Sequence, residues 1–406
     1  MECEMDVDVL VLNTAVADFR SEVFSFADDL VGPGGLAKCD TKHMPPYTQE
    51  QYRQWIDAGL ATTGGPGNSA PLMARAGLRV AIGVNLGTGD FDGLDAQGRF
   101  FYGVMAENGV DMSATFVHPT LPTGTTYIYE KTGDERGGIA YFPNANNDFD
   151  FAYFRKAVET LSPKIVYYMY SGLSDRGDAN GGRDLAEFMR WCRQRGAVTI
   201  VDSHTLTGDP QALIDTGKPV PEYALLEPLL PEVDIFFTSS DEARMIGNTL
   251  GMGREWRAFL EPDNCVHFLN ALAQRFWTGP GRTRLFGVTV SNGAYEKHIA
   301  PDGTMAAPHK TESRFMAGEV IDLVGAGDSF RSGLLTYVAC NLKQFVDGSM
   351  DFSQAVQMGN LFAALFIKAP LRDRYSNIKP YASMLHAVQS GRQYGTLDDL
   401  MKELDS

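Results

Sequence analysis

The stretch Gly325–Asp328 places a carboxylate directly after a glycine-rich turn, and an apolar run at helical spacing follows from Phe330. Such a turn points unpaired backbone N–H groups and the positive end of a helix dipole at one place, which suits an anion. A carboxylate there opposes an anionic ligand, unless Asp328 removes a proton from a group that attacks a phosphate. The alternative is an ordinary strand-to-helix turn in which Asp328 caps the helix. The spacing alone leaves both interpretations open.

The composition limits the classes of protein that the chain can represent. Its 406 residues are 44% hydrophobic, enough for one large α/β domain or two smaller ones. A formal charge of −16 argues against nucleic acid or an acidic membrane surface as the main partner. The five cysteines are scattered without C-x-x-C spacing, and no apolar run reaches the length of a membrane span. The N-terminus is acidic and does not resemble a signal peptide, so we expect a soluble, cytoplasmic protein.

The residue pattern indicates an α/β fold. Residues 7–12 form a strand pattern that is apolar at every position except Asp8, and beyond residue 150 strand and helix patterns alternate regularly. This alternation predicts a mostly parallel sheet that is covered on both faces. Between 114 and 142 the pattern changes to short alternating strands, and 125–129 and 139–142 flank a glycine-containing turn. That segment predicts a β-hairpin within the α/β chain.

The motif Asp322-x-x-Gly325-Ala326-Gly327-Asp328 resembles the signature of the ribokinase-like (PfkB) carbohydrate kinases, with Leu323 where that family usually has threonine. The resemblance implies that Asp328 is the catalytic base and that the amides of Gly325, Ala326 and Gly327 form an anion hole. It also implies that Asp322 contributes to a monovalent-cation (K⁺) site, which some family members use. The implied fold is a single three-layer αβα domain over residues 1–406, with a small β-sheet lid from about 14–62 and 112–143.

The resemblance extends to a group of substrate-binding positions. The run from Thr63 to Asn68 is similar to the family's first signature, and backbone without side chains lets a polyol approach closely. An asparagine there can both donate to and accept from hydroxyl groups. An aspartate just beyond the first strand lies where ligands bind in open α/β sheets. The implied substrate-binding residues are Asp18, Gly64, Gly65, Asn68 and Asn146.

A second group of positions resembles the nucleotide site of the same family. Glu242 matches a family glutamate that supports Mg²⁺ through water, whereas Ser239 stands where the family has asparagine. The run from Thr289 to Gly293 resembles the loop beside the nucleotide, with Ser291 in place of a glycine. The implied nucleotide-binding residues are Ser239, Glu242, Thr289, Ser291, Gly293 and Asn360.

These observations predict an ATP-dependent kinase that uses Mg²⁺ and transfers a phosphoryl group to a primary hydroxyl of a sugar or nucleoside. A homodimer through the lid is a further expectation. The alternative is a catalytically weak sugar-binding or regulatory protein on a kinase scaffold, suggested by Ser239 and Leu323. A dehydrogenase is disfavoured because no G-x-G-x-x-G follows the first strand.

Overall fold

The computed structural model describes residues 7–130, 136–252 and 262–406. Part of the turn between the two hairpin strands and part of the 246–282 segment therefore lie outside the described residues. Within the described ranges the strands are β1 (Val9–Leu12), β2 (Val16–Ser21), β3 (Leu36–Lys38), β4 (Ala61–Gly64), β5 (Val80–Gly83), β6 (Asn85–Phe91), β7 (Phe116–His118), β8 (Gly124–Glu130), β9 (Arg136–Phe142), β10 (Ile165–Tyr168), β11 (Val198–Val201), β12 (Ile235–Ser239), β13 (Arg284–Val290), β14 (Gly293–Ile299) and β15 (His309–Glu312).

The α-helices alternate with these strands over much of the chain. In the described ranges they are α1 (Gln49–Asp57), α2 (Ala70–Arg75), α3 (Ala96–Glu107), α4 (Phe151–Leu161), α5 (Arg183–Gln194), α6 (Pro210–Thr216), α7 (Leu226–Leu229), α8 (Ser240–Thr249), α9 (Asp263–Arg275), α10 (Ala326–Cys340), α11 (Leu342–Asp347), α12 (Phe352–Ile367), α13 (Tyr381–Gln389) and α14 (Leu397–Leu404). No helix in these ranges is both long and apolar enough to cross a membrane.

The central sheet has eight strands in the order β15-β14-β13-β12-β11-β10-β1-β5. The strands from β5 to β13 in this order run parallel, and β14 and β15 add an antiparallel edge. Every residue of β1, β5, β10 and β11 is buried, as expected for parallel strands that helices cover on both faces. The predicted α/β class with a mostly parallel sheet is confirmed.

A separate five-stranded sheet has the order β3-β9-β8-β2-β4. The predicted hairpin is present as the antiparallel pair β8 and β9. This sheet has its own aromatic core, in which the ring of Phe19 contacts Tyr52, Trp55 and Tyr127. Strand β7, which falls within the range predicted for the lid, pairs with β6 instead.

The sequence also predicts how α1 begins, because Thr48 with Gln51 three residues later is the pattern of a helix-starting capping box. Thr48 accepts a hydrogen bond from the backbone N–H of Gln51, and the Gln51 side chain accepts one from the backbone of Thr48. This capping box fixes the residue at which α1 begins. Tyr52, near the start of the helix, is buried in the aromatic core and holds the helix against the small sheet.

Candidate active site

A cavity of about 560 Å³ is lined by residues from both sheets. Asp18 and Thr126 contribute from the small sheet, and Ser239 and Thr289 contribute from the carboxyl ends of two central strands. The glycine-rich turn at the start of α10 forms another wall. Ligands in open α/β sheets bind at the carboxyl ends of the strands, and the cavity lies at that end.

Asp328 lies in the first turn of α10 and lines this cavity. Its Oδ2 accepts hydrogen bonds from Asn68 Nδ2 at 3.0 Å and from the Tyr170 hydroxyl at 2.7 Å. Its other oxygen, Oδ1, lies 3.6 Å from the Arg331 guanidinium. These contacts fix the orientation of a carboxylate that is only 6% exposed. Asp328 and the glycine turn line the same cavity.

Arg331 lies between two buried carboxylates, one turn after Asp328 on α10. Its Nη2 is 2.8 Å from Asp202 Oδ1, and the guanidinium also donates to the carbonyl of Phe237. Burial raises the pKa of Asp202, while the nearby Arg331 guanidinium acts in the opposite direction. The arginine compensates part of the negative charge that Asp202 and Asp328 bring to the cavity.

The turn before α10 adopts a conformation that suits glycine. Gly325 has a φ of +88°, and a Cβ there would lie 2.9 Å from Cγ of Asn68. The turn therefore packs directly on the asparagine that contacts Asp328. The Ala326 N–H donates to the Leu323 carbonyl at 3.1 Å, so this member of the expected anion hole is already paired within the turn. Gly325 and Gly327 both line the cavity.

Asp18 occupies the small-sheet side of the cavity and is 5% exposed. Its Oδ1 accepts a hydrogen bond from the Thr126 hydroxyl at 2.5 Å. Burial raises the pKa of the Asp18 carboxyl, while the Thr126 hydrogen bond and the charge of Arg20 act against that rise. A Cβ on Gly64 would lie 2.5 Å from Oδ2 of Asp18, so the absence of a side chain at 64 leaves room for this carboxylate.

The expected substrate-binding residues do not all reach the cavity. Gly64, Gly65 and Asn68 line it together with Asp18. Asn146 does not line it, because its amide donates to the Ala15 carbonyl and to the Tyr141 hydroxyl. Asn146 therefore supports the wall of the cavity from behind.

Ser239 and Glu242 form a second capping box, at the start of α8. The Ser239 hydroxyl accepts from the Glu242 N–H, and Glu242 Oε2 accepts from the Ser239 N–H at 2.9 Å. The same carboxylate accepts hydrogen bonds from the hydroxyls of Thr238 and Thr205. Both capping residues line the cavity, and Asp241 beside them lines it as well.

A smaller cavity of about 220 Å³ adjoins the first and shares part of its wall. Its walls are mainly apolar and include Phe315, Phe330 and Ile367. An apolar slot that opens next to a helix N-terminus suits a planar base whose phosphates extend toward the turn. The sequence-predicted residues that line this cavity are Thr289, Ser291, Gly293 and Asn360.

No protein-family model matches the sequence, and no curated protein matches it. Solved structures do match its fold. Adenosine kinase from Anopheles gambiae in complex with P1,P4-di(adenosine-5) tetraphosphate has a TM-score of 0.63 at 18% identity, over 92% of this chain and 99% of that one. The chain has the ribokinase-like fold. Fructokinase from Xylella fastidiosa with bound ATP has a TM-score of 0.62 at 20% identity, over 94% and 99% of the two chains.

A PfkB protein from Polaromonas sp. JS666 gives a TM-score of 0.57 at 19% identity, over 94% of this chain and 99% of that one. At these identities the similarity establishes the fold alone. The likeness to the ribokinase-like kinases inferred from the motifs is confirmed at that level. The matches cover nearly the whole of each chain, so the small sheet and the central sheet are both within the shared architecture.

Within the ribokinase-like fold, Asp322 has partners that the sequence did not indicate. Its Oδ2 lies 3.0 Å from Arg20 Nη2 and 3.2 Å from Arg374 Nη2, and its Oδ1 accepts from the Val324 N–H. Two guanidinium groups therefore occupy the carboxylate that was expected to contribute to a K⁺ site.

Sequence reasoning assigned no role to Tyr170, Asp202, Arg331 or Arg374, all of which lie in or against the site. Asp202 and Tyr170 follow the carboxyl ends of β11 and β10, so the strand-end rule that selected Asp18 could have found them. Arg331 lies three residues after Asp328 on one helix, a spacing that places two side chains together. Arg374 follows a short 3-10 helix and carries no comparable local signal.

Proposed function

We propose that this protein is an ATP-dependent kinase that phosphorylates a primary hydroxyl of a sugar or nucleoside. The observation that carries the proposal is that Asp328, the Gly325–Gly327 turn and Asp18 line one cavity. A buried carboxylate at the small-sheet side suits hydroxyl groups. A second carboxylate at a helix N-terminus suits proton removal beside a bound phosphate.

Proton transfer is the task assigned to Asp328. An alcohol is almost fully protonated at neutral pH, so its oxygen attacks the γ-phosphorus efficiently only if a base takes the proton as the O–P bond forms. The carboxylate of Asp328 accepts that proton, while the bond to the β–γ bridging oxygen breaks and ADP leaves with the electron pair. Such general-base catalysis contributes about 10² to 10⁴ in rate. Asn68 and Tyr170 hold the carboxylate in position for this step.

The start of α10 is assigned to the transferred phosphoryl group. First-turn amides of a helix lack intrahelical partners, and glycines allow the phosphate oxygens to approach them closely. Glu242 and Asp241 line the same cavity and offer carboxylate oxygens, which suit the water shell of Mg²⁺. Mg²⁺ carried by ATP would neutralise phosphate charge there. The smaller apolar cavity next to the turn is assigned to the base of ATP.

The acceptor class rests on the walls of the main cavity and on the structural neighbours. Asp18, Asn68 and Thr126 supply polar groups for hydroxyls, and Leu36 and Ile139 add an apolar wall beside them. The similar structures include a fructokinase and an adenosine kinase. We therefore propose that the acceptor is either a sugar or a nucleoside.

A coupled assay of ADP release against a panel of sugars and nucleosides tests the proposal. We expect at least one acceptor to give turnover and Asp328→Asn to abolish it, while calorimetry shows that the acceptor still binds. Asp398→Asn, on the exposed first turn of α14, is the matched control and should retain full activity. Full turnover by Asp328→Asn would refute the assignment of the base.

A second candidate, a sugar-binding or regulatory protein with weak catalysis, is favoured by one observation. The Glu242 carboxylate already accepts three hydrogen bonds, from Ser239, Thr238 and Thr205. The Glu242 carboxylate therefore has fewer free acceptor positions for magnesium-bound water than an unpaired carboxylate would have. Calorimetry separates the two candidates, since binding of a sugar without ATP binding or turnover supports the second.

A further inference from the structure

Arg374 makes polar contacts that join three parts of the candidate site. Its Nη2 donates to the Val324 carbonyl and lies 3.2 Å from Asp322 Oδ2, and its Nη1 donates to Asn68 Oδ1 at 3.3 Å. The guanidinium carbon lies 4.4 Å from the centre of the Phe366 ring. The residue is only 4% exposed. A buried arginine with this number of fixed contacts constrains its neighbours.

The contact with Asn68 determines which way the asparagine amide points. Because Oδ1 of Asn68 accepts from Arg374, the amide nitrogen faces Asp328 and donates to Oδ2 at 3.0 Å. The same guanidinium donates to the carbonyl of Val324, which is the residue just before Gly325. Arg374 therefore positions both the carboxylate assigned as base and the turn assigned to the phosphoryl group, without facing the substrate itself.

The charges around Arg374 leave no place for an additional cation. Arg20 and Arg374 both pair with the Asp322 carboxylate, so two positive charges already face its one negative charge. A monovalent cation is bound by carboxylate and carbonyl oxygens, and here the Asp322 carboxylate and the Val324 carbonyl both contact Arg374. The described residues around Asp322 therefore do not fit the K⁺ site expected from the sequence.

We propose that Arg374 is a positioning residue whose fixed guanidinium does the work of a bound monovalent cation, and that the activity of this protein is independent of K⁺. The inference rests on the proposed kinase function for its activity readout. The part that concerns cation binding is testable without that function.

The activity test compares turnover in potassium chloride and in tetramethylammonium chloride at equal ionic strength. We expect the wild-type values to agree within about twofold, and Arg374→Ala to lose at least about tenfold in kcat with a smaller change in KM. Removing the guanidinium frees the Val324 carbonyl and leaves Arg20 as the remaining arginine partner of the Asp322 carboxylate. Potassium or methylguanidinium should therefore restore part of the lost kcat in this variant, an effect that a merely structural residue would not show.

Arg372→Ala is the matched control, because Arg372 lies two residues away and its guanidinium contacts only the Ala58 carbonyl among the protein hydrogen bonds described. We expect wild-type turnover in both salts for this variant. Wild-type turnover that requires K⁺, or an Arg374→Ala variant as active as the wild type, would overturn the proposal.

Thermal unfolding separates failure of this inference from failure of the kinase proposal. If no acceptor gives turnover, the unfolding midpoint is measured in the same two salts. We expect the wild-type midpoint to be equal in both and the midpoint of Arg374→Ala to be higher in potassium. A midpoint that responds to potassium equally in wild type and variant would overturn the inference, whatever the protein phosphorylates.

Discussion

Asn68 donates a 3.0 Å hydrogen bond to Asp328 across 260 residues of sequence. This contact joins the loop beside the small sheet, which the substrate-binding motif supplies, to the helix that carries the assigned base. Under the proposed function, this one side-chain amide would couple acceptor binding to proton removal. Each residue comes from a different motif, and the fold brings both to one cavity.

We expect Asn68→Ala to lower kcat/KM by about 10² or more, because it removes a contact that orients the base as well as a contact to the acceptor. Steady-state kinetics with the best acceptor from the panel measure the effect. The unfolding midpoint serves as the control, since a variant that is inactive only because it is unfolded shows a collapsed midpoint. Kinetics within twofold of wild type would contradict the assigned coupling.

Gly325→Ala tests how closely the turn packs on Asn68. An L-residue at a φ of +88° costs about 1–2 kcal/mol, and the new Cβ would lie 2.9 Å from Asn68 Cγ. We expect both a lower free energy of unfolding and a loss of turnover. Chemical denaturation and the coupled assay give the two quantities.

Gly109→Ala is the matched control for this substitution. Gly109 has a φ of +75°, but a Cβ there would meet no atom within 4 Å. It should therefore show a similar backbone cost with unchanged turnover. If both variants lose activity equally, the contact between the turn and Asn68 is not what matters.

The Asp18 carboxylate gives a pH prediction for acceptor binding. Burial raises the pKa of Asp18, and only the ionised form accepts hydrogen bonds from hydroxyls with both oxygens. We expect the KM for the acceptor to fall as the pH rises from acidic to neutral. Asp18→Asn should raise KM by about tenfold or more and remove this dependence. A KM profile of the variant that still follows the wild type would contradict the assignment.

Local chemistry made much of the architecture predictable from the sequence. The Thr48–Gln51 capping box and the glycine turn before Asp328 are encoded within a few neighbouring residues, and both occur in the structure as predicted. Asp18 was likewise selected from a local pattern, as the aspartate that lies just beyond the first strand. Such features need no knowledge of distant contacts.

The contacts that complete the site depend on the tertiary fold. Tyr170 meets Asp328 across 158 residues, and Arg374 meets Asp322 across 52 residues after a short 3-10 helix. No periodicity or motif marks either pair. The cation site expected at Asp322 was inferred from a motif alone, and a motif does not show which guanidinium groups the fold brings to it.

Glu296 on β14 gives a stability prediction that is independent of function. The residue is 4% exposed, and its Oε2 has no hydrogen-bond partner among the described residues. Burial raises the pKa of this carboxyl from 4.5 to about 8. Between pH 4.5 and about pH 8, the folded state therefore keeps a proton on Glu296 that the unfolded state has released.

Because the folded state binds more protons in this window, Glu296 makes stability fall as pH rises from about 4.5 to about 8. The limiting slope is about 1.4 kcal/mol per pH unit. We expect Glu296→Gln to remove this contribution. The free energy of unfolding of the variant should then exceed that of the wild type by an amount that grows toward pH 8 and stays constant above it. Urea denaturation across the window measures the difference in free energy of unfolding.

Glu312→Gln, on the neighbouring strand with a side chain 72% exposed, should follow the wild type throughout. Parallel wild-type and Glu296→Gln curves would show that the buried carboxyl is not protonated in the folded protein.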